Sequence, residues 1–451
     1  MKTRTRFGIA LLLWLSTIPA ALADLPEGIE KIRHIVVIYL ENRSFDHLYG
    51  LFPGANGLPN AGLAALQTDR DGAPYAMLPP VMLITPGKPP EVDARFPKSL
   101  PNRPFDIGDY VPAHQNTGDL VHRFYQNQMQ INGGRNDRFA AISDAGGLSM
   151  GYYDGHNLPL WKYAAQYTLA DNFYQAAFGG SMLNHFWLIC ACTPRYPDAP
   201  AELRATLDDS GKLVKDGVLT PDGYVANTIQ PYYMPHKPGT AKLKALPPQT
   251  LPTIGDRLTE KNIDWAWYSG GWNDALSGWS APTFQFHHQP FAYFRNYADG
   301  SENKARHLKD ESDFLAAIES GALPPVSFYK PLGLHNEHPG YADVMTGEKH
   351  VADIIARIER SPMWPTTAII VTYDENGGFW DHAAPPQGDR WGPGTRVPAI
   401  IISPYAKRGH VDHTLYDTTS ILKFIETRHG LNPLGERDAN ANGLTGAFAF
   451  D

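Results

Sequence analysis

The chain has 451 residues, 19% of them charged and 43% hydrophobic, which excludes a disordered chain and a long helical rod and leaves room for a large core. Its formal net charge is −8. That is the wrong sign for the basic surface that sequence-independent binding of nucleic acid needs, so no nucleic-acid partner is expected.

The chain opens on Lys2, Arg4 and Arg6, an apolar run from Gly8 to Ala20, and the small-x-small triplet Ala21-Leu22-Ala23. This is the pattern of a secretory signal peptide over residues 1–23, and a periplasmic or secreted protein is expected. The apolar run is short for a bilayer span and no later run of about 20 apolar residues follows, so stable membrane insertion is not expected. Residues 24–451 are read as a single catalytic domain.

Ile32 to Leu40 predicts a strand, its four consecutive apolar residues Ile35, Val36, Val37 and Ile38 being typical of a strand buried on both faces. The proline-rich segment Pro74 to Pro104 reads as a surface excursion. Helices are predicted over Asp119–Gln130 and Leu158–Gln166, a short strand over Tyr167–Phe173, and a helix over Ser181–Cys190 after the Gly179-Gly180 break. Cys190 and Cys192 are too few for a disulfide framework; two apart, they are either two free buried thiols or one tight local bridge. Residues 195–250 lack a clear period and are taken as an insertion.

The remainder alternates more cleanly. Helices are expected over Ile254–Lys261, Asp310–Glu319, Lys349–Arg360 and Thr418–Arg428, with strands over Ile263–Tyr268, Val326–Tyr329, Thr366–Thr372 and Val397–Ile402. Such alternation predicts an α/β fold, a three-layer sandwich with a mostly parallel central sheet. Ligands in such sheets lie off the carboxyl ends of the strands.

Two of those ends are acidic. The first strand runs into Glu41-Asn42-Arg43-Ser44, and the strand Thr366–Thr372 into Tyr373-Asp374-Glu375-Asn376-Gly377-Gly378. Adjacent carboxylates repel unless a cation neutralises them, and hard oxygens suit one. Ser181 opens a helix, where free backbone N–H groups favour an anion. Alone it would be an ordinary serine N-cap. It does not lie in a Gly-x-Ser-x-Gly elbow, which disfavours an ordinary esterase. Of the 17 histidines, His114, His287, His288, His350, His382 and His413, as a set with the acids and the helix-start serine, are candidates to grip a phosphate and protonate a leaving group.

These segments together resemble the bacterial phosphoesterase family that contains the acid phosphatase of the Francisella type and the non-hemolytic phospholipases C. The resemblance is carried by His34 to Asp46, by Phe178-Gly179-Gly180-Ser181, by Val371 to His382, and more weakly by Ser420 to Glu426. It implies an alkaline-phosphatase-like core and one metal ion held by Glu41, Asn42, Asp374 and Glu375, with Ser181 both ligand and nucleophile. Oxygen ligands with one amide allow calcium, manganese or iron. It also implies that His114, His287, His288 and His350 surround the phosphate. Serine in Gly-Gly-Ser-Met-Leu-Asn-His resembles the acid phosphatase branch, since threonine is typical of the phospholipases there. Thr418, where phospholipases tend to have histidine, points the same way.

The expected activity is therefore hydrolysis of phosphate monoesters through a phosphoserine on Ser181, with His350 or His288 as acid. Two alternatives stand. A phospholipase C would cleave a diester and need an apolar groove, for which Trp265, Trp267, Trp272 and Phe284 are candidates. A non-catalytic exported anion-binding protein would leave Ser181 without a purpose.

Overall fold

The protein is described by a computed structural model covering residues 26–85 and 87–450; the signal peptide expected over residues 1–23 lies outside the described residues. Its centre is an eight-stranded sheet. In chain order the strands are β1 (His34–Leu40), β2 (Thr168–Ala170), β3 (Trp265–Ser269), β4 (Leu308–Asp310), β5 (Val326–Lys330), β6 (Thr367–Tyr373), β7 (Ala399–Ile402) and β8 (His410–Asp412). Their spatial order is β4-β3-β5-β1-β6-β7-β2-β8. All neighbours pair in parallel except β7, which runs antiparallel to both β6 and β2.

The principal helices are α1 (Pro159–Gln166), α2 (Ser181–Cys190), α3 (Ile254–Glu260), α4 (Glu311–Ser320), α5 (Val344–Arg360) and α6 (Thr419–His429). Helices α1, α4 and α5 cover one face of the sheet, and α2, α3 and α6 the other. This is the three-layer, mostly parallel arrangement the sequence predicts. In β1 every residue after His34 is buried, because the strand lies between β5 and β6 with a helical layer on each side; a continuous apolar run, not an alternating one, fits such a position. Helix α5 turns Val351, Ile354, Ile355 and Ile358 inward, and Asp343 caps it by accepting from the Thr346 N–H at 2.8 Å, a standard N-cap bond.

Two differences from the sequence reading have physical causes, and one open alternative is resolved. The helix predicted over Asp119–Gln130 begins only at Phe124 and runs to Ile131. Upstream, the Val121 N–H donates to Asp144 Oδ1 at 2.7 Å, a tertiary bond that replaces helical ones and keeps residues 119–122 out of the helix. The edge strands β4 and β8 are three residues each, too short to leave a period. Cys190 and Cys192 form a disulfide, so of the two states left open the local bridge is the one observed. Residues 195–250 are mostly irregular, with a small antiparallel pair between Thr206–Leu207 and Leu213–Lys215. Among the described residues no helix is long and apolar enough to cross a membrane.

Candidate active site

The sheet register builds the site. Leu40 of β1 lies opposite Tyr373 of β6, so the residues that follow, Glu41-Asn42 and Asp374-Glu375, leave the sheet side by side. Asn42 takes a left-handed backbone, φ 68°, and its N–H donates to Asp374 Oδ1 at 3.3 Å. Beyond Glu375 the chain turns through Gly377, φ 62°, where a Cβ would lie 2.4 Å from the Asn42 carbonyl oxygen; only glycine fits. That turn returns the Gly377 N–H to Glu375 Oε2 at 2.8 Å.

Ser181 reaches the same point from the first turn of α2. Gly179, φ 82°, lets the chain pass so close to Phe124 that a Cβ would lie 2.3 Å from its nitrogen. The Ser181 hydroxyl then stands 3.3 Å from both Asn42 Oδ1 and Glu375 Oε1. Glu41, Asn42, Ser181, Asp374 and Glu375, expected together from the sequence, are brought together, and all five are buried.

Basic groups close the cluster. Lys330, the last residue of β5, places its ammonium 2.9 Å from Glu41 Oε1 and 3.9 Å from Asp374 Oδ2. His288 Nε2 pairs with Glu41 Oε1, and the Tyr341 hydroxyl donates to Glu41 Oε2 at 3.1 Å. His185, one turn along α2, lies 3.7 Å from Asp374 Oδ2. His287 packs edge-on to His288 with ring centres 4.8 Å apart.

Burial pushes Asp374 and Glu375 up, more than Lys330 and His122 pull them down. Burial would raise Glu41 too, but His288 and Lys330 hold it well below the usual carboxylate range. Burial keeps His185 and His287 far below the ordinary imidazole value. For His122 burial works against the charge, yet Glu375 and Asp119 outweigh it and raise the ring to about 9.

Two of the histidines expected around the phosphate are not here. His114 is exposed in the turn 112–115, away from the pocket. His350 sits on α5, where its Nε2 meets the Tyr329 hydroxyl at 2.6 Å. Successive side chains of a strand point to opposite faces, so in β5 Tyr329 faces the α4 and α5 layer while Lys330 faces Glu41; His350 is on the wrong side of the sheet for Ser181. Their places are taken by His122 and His338, which meet edge to face with ring centres 5.4 Å apart. His122 Nε2 lies 3.4 Å from Asn42 Nδ2 and 3.8 Å from Glu375 Oε1. His338 stacks on Tyr341. Asn336-Glu337-His338-Pro339 follows β5, so the strand-end rule that finds Glu41 and Asp374 also reaches His338. His122 was hidden by the helix expected over its segment.

The pocket above these groups has a volume of about 590 Å³ and is rimmed by Asp119, His122, Arg123, Thr283, His287 and His338, with Ser181 at its floor. Trp265, Trp267, Trp272 and Phe284 do not line it; all four are buried in the core. As a cation site the donor set fits: three carboxylates, an amide and a hydroxyl converge, every donor is oxygen, and Asp374 Oδ2 has no hydrogen-bond partner among the described residues. Such a set suits a hard divalent ion.

Comparison with known proteins places this architecture. The Phosphoesterase family model matches residues 32–432. Phospholipase C A of Mycobacterium tuberculosis is 27% identical, over 94% of this chain and 78% of that protein. The hemolytic phospholipase C of Pseudomonas aeruginosa is 25% identical, over 97% of this chain and 59% of that protein. A solved structure of an alkaline phosphatase superfamily protein from Vibrio parahaemolyticus aligns with 73% of each chain at 11% identity and a TM-score of 0.36, too distant to bear on function. The serine context at 181 resembles the acid phosphatase branch, yet both of these relatives bear phospholipase C names. The matched residues run from before β1 to beyond α6 and include every acid at the two strand ends: the chain belongs to the Phosphoesterase family.

Proposed function

We propose that the protein hydrolyses phosphodiesters of the phospholipase C type, using Ser181 as nucleophile beside one divalent cation held by Glu41, Asn42, Asp374 and Glu375. This replaces the monoesterase expected from the serine context. The observation that carries it is the charge around the pocket. A monoester is close to a dianion at neutral pH, whereas a diester carries one charge. The cations around the pocket are already committed: Lys330 to Glu41, Arg123 to Asp216, and His122, raised to about 9, to Glu375 and Asp119. Asp119 adds a carboxylate at the rim. Little fixed positive charge remains for a second phosphate charge. The phospholipase C names of relatives aligned over nearly the whole chain favour the same reading.

When bound, the cation supplies the charge that eases loss of the serine proton and neutralises the phosphoryl oxygens; the acid-rich ligand set fits calcium or manganese better than a softer ion. Ser181 Oγ, passing its proton to Glu375 Oε1 3.3 Å away, attacks phosphorus, forming a Ser–O–P bond while the bond from phosphorus to the leaving alcohol breaks. His122 or His338, edge to face at the rim, gives the leaving oxygen its proton. Water entering from the open side then cleaves the Ser–O–P bond of this serine phosphodiester, the same histidine accepting the water proton and Glu375 returning one to Ser181 Oγ. Asn42 orients the hydroxyl at 3.3 Å, and His185, bonded to the Ser181 carbonyl at 2.7 Å, fixes the first turn that carries it. Positioning of this kind supplies much of the rate in phosphoryl transfer.

The test compares p-nitrophenyl phosphate with p-nitrophenylphosphorylcholine at matched concentrations of full-length protein. Faster cleavage of the diester is expected. A clear preference for the monoester would restore the acid phosphatase reading, and binding without turnover of either would favour the non-catalytic one.

A further inference from the structure

His350, displaced from the catalytic pocket, belongs to a second cluster. Glu311 opens α4, Tyr329 is the penultimate residue of β5, His335 ends the short turn Gly333–His335, and His350 lies on α5. One ligating atom each from Glu311, His335 and His350 lies within 4.8 Å of the other two. Glu311 Oε1 is 3.6 Å from His350 Nε2, and the two imidazoles stack with centres 4.4 Å apart. The Tyr329 hydroxyl sits 2.6 Å from His350 Nε2. His335 Nδ1 is buried and has no hydrogen-bond partner among the described residues, although buried ring nitrogens are normally satisfied. The backbone makes room for the carboxylate: a Cβ on Gly270 would lie 2.8 Å from Glu311 Oε2.

We propose that Glu311, His335 and His350 form a second metal centre, separate from the catalytic one, for a divalent transition ion of the zinc type. Two imidazoles and one carboxylate suit zinc and its neighbours, not calcium or magnesium, whereas Glu41, Asn42, Ser181, Asp374 and Glu375 offer only oxygen, with His185, His287 and His288 beside Glu41. Zinc–ligand bonds of about 2.0–2.2 Å place tetrahedral ligands roughly 3.4 Å apart, so binding shortens separations that now lie within 4.8 Å by about 1.4 Å at most. The fourth position is open to water or to the Tyr329 oxygen.

The centre stands behind the catalytic pocket through a short piece of chain. Tyr329 is followed by Lys330, which holds Glu41. His335 is followed by Asn336, whose carbonyl accepts the Glu41 N–H at 2.9 Å, and then by His338 at the pocket rim. A metal clasp between this segment and α4 and α5 fixes the loop that presents His338 without touching substrate.

The test uses the full-length protein stripped with chelator and titrated with Zn²⁺ alone in a calorimeter, with thermal melts alongside. Wild type and Asp374→Asn are expected to bind zinc tightly at this centre and to melt at higher temperature with zinc. His335→Ala and His350→Ala should lose that binding and that shift. Co²⁺ loading adds a signature: strong visible absorption of tetrahedral cobalt in wild type, absent from His335→Ala. Should either alanine variant fail to fold, Glu311→Gln takes its place. Equal zinc binding by wild type and the histidine variants, or loss of binding only in Asp374→Asn, would overturn the proposal.

Discussion

Two buried clusters of acids and bases flank β1, and they are finished differently. Around Arg396 every charge is answered inside the protein. Its Nε meets Asp381 Oδ1 at 3.1 Å and Nη2 meets Asp46 Oδ1 at 3.1 Å. Nη1 donates to the carbonyls of Asn56 and Asp171 at 2.7 and 2.6 Å. His382 closes the set on Asp46 Oδ2 at 2.6 Å, its pKa raised despite burial by the bond to Asp46. Around Ser181 the same residue types are left open: Asp374 Oδ2 has no hydrogen-bond partner among the described residues, and a pocket opens above it. A structural charge network neutralises itself, because an unpaired buried charge costs several kcal/mol. A site that awaits a cation and an anion cannot do so.

Substitutions separate the two clusters, and the largest effect on chemistry belongs to Ser181. Ser181→Ala should reduce diester turnover by about a thousandfold or more while leaving the melting temperature within a few degrees; turnover near the wild-type rate would remove the serine from the mechanism. The largest effect on stability belongs to the closed cluster. Arg396→Met strands two buried carboxylates and should cost roughly 3–5 kcal/mol in urea unfolding, with kcat of the folded protein little changed. An unchanged unfolding midpoint would mean that the network is not a structural one.

Within the open cluster, at least one of His122→Asn and His338→Asn should lower kcat by about a hundredfold or more, whereas His114→Asn, in its exposed turn, should leave kcat as it is. Equal effects would erase the distinction drawn between pocket and surface histidines.

The smallest effect tests whether an uncompensated acid is always functional. Glu426 on α6 is buried far from the pocket, and burial together with Asp438 raises it to about 9. A carboxyl whose folded pKa lies above its unfolded value of 4.5 contributes stability that is complete below that value and is lost as pH rises through about 9. Glu426→Gln stays neutral, so its melting temperature should match wild type near pH 5 and exceed it increasingly towards pH 9. A constant difference across that range would contradict the shift.

The parts of the site legible in the sequence are those fixed by strand ends. Glu41, Asn42, Asp374 and Glu375 follow continuous apolar runs, and parallel strands deliver their following residues to one edge. Ser181 was legible because Gly179-Gly180 marks the start of a helix. The histidines were not, since one imidazole in a loop looks like another. His350 lies on the helix whose inward face the sequence does show, but which side of the sheet that helix covers is decided by the crossover and not by local pattern. His122 was masked because a tertiary bond to Asp144 overrides the helical tendency of its segment.

The most direct measurement is an anomalous diffraction map from crystals of the protein loaded with manganese. A peak about 2–2.6 Å from carboxylate oxygens of Glu41, Asp374 and Glu375, and against the Ser181 hydroxyl, is the predicted result. Manganese bound elsewhere in the protein with no density among these residues would contradict it.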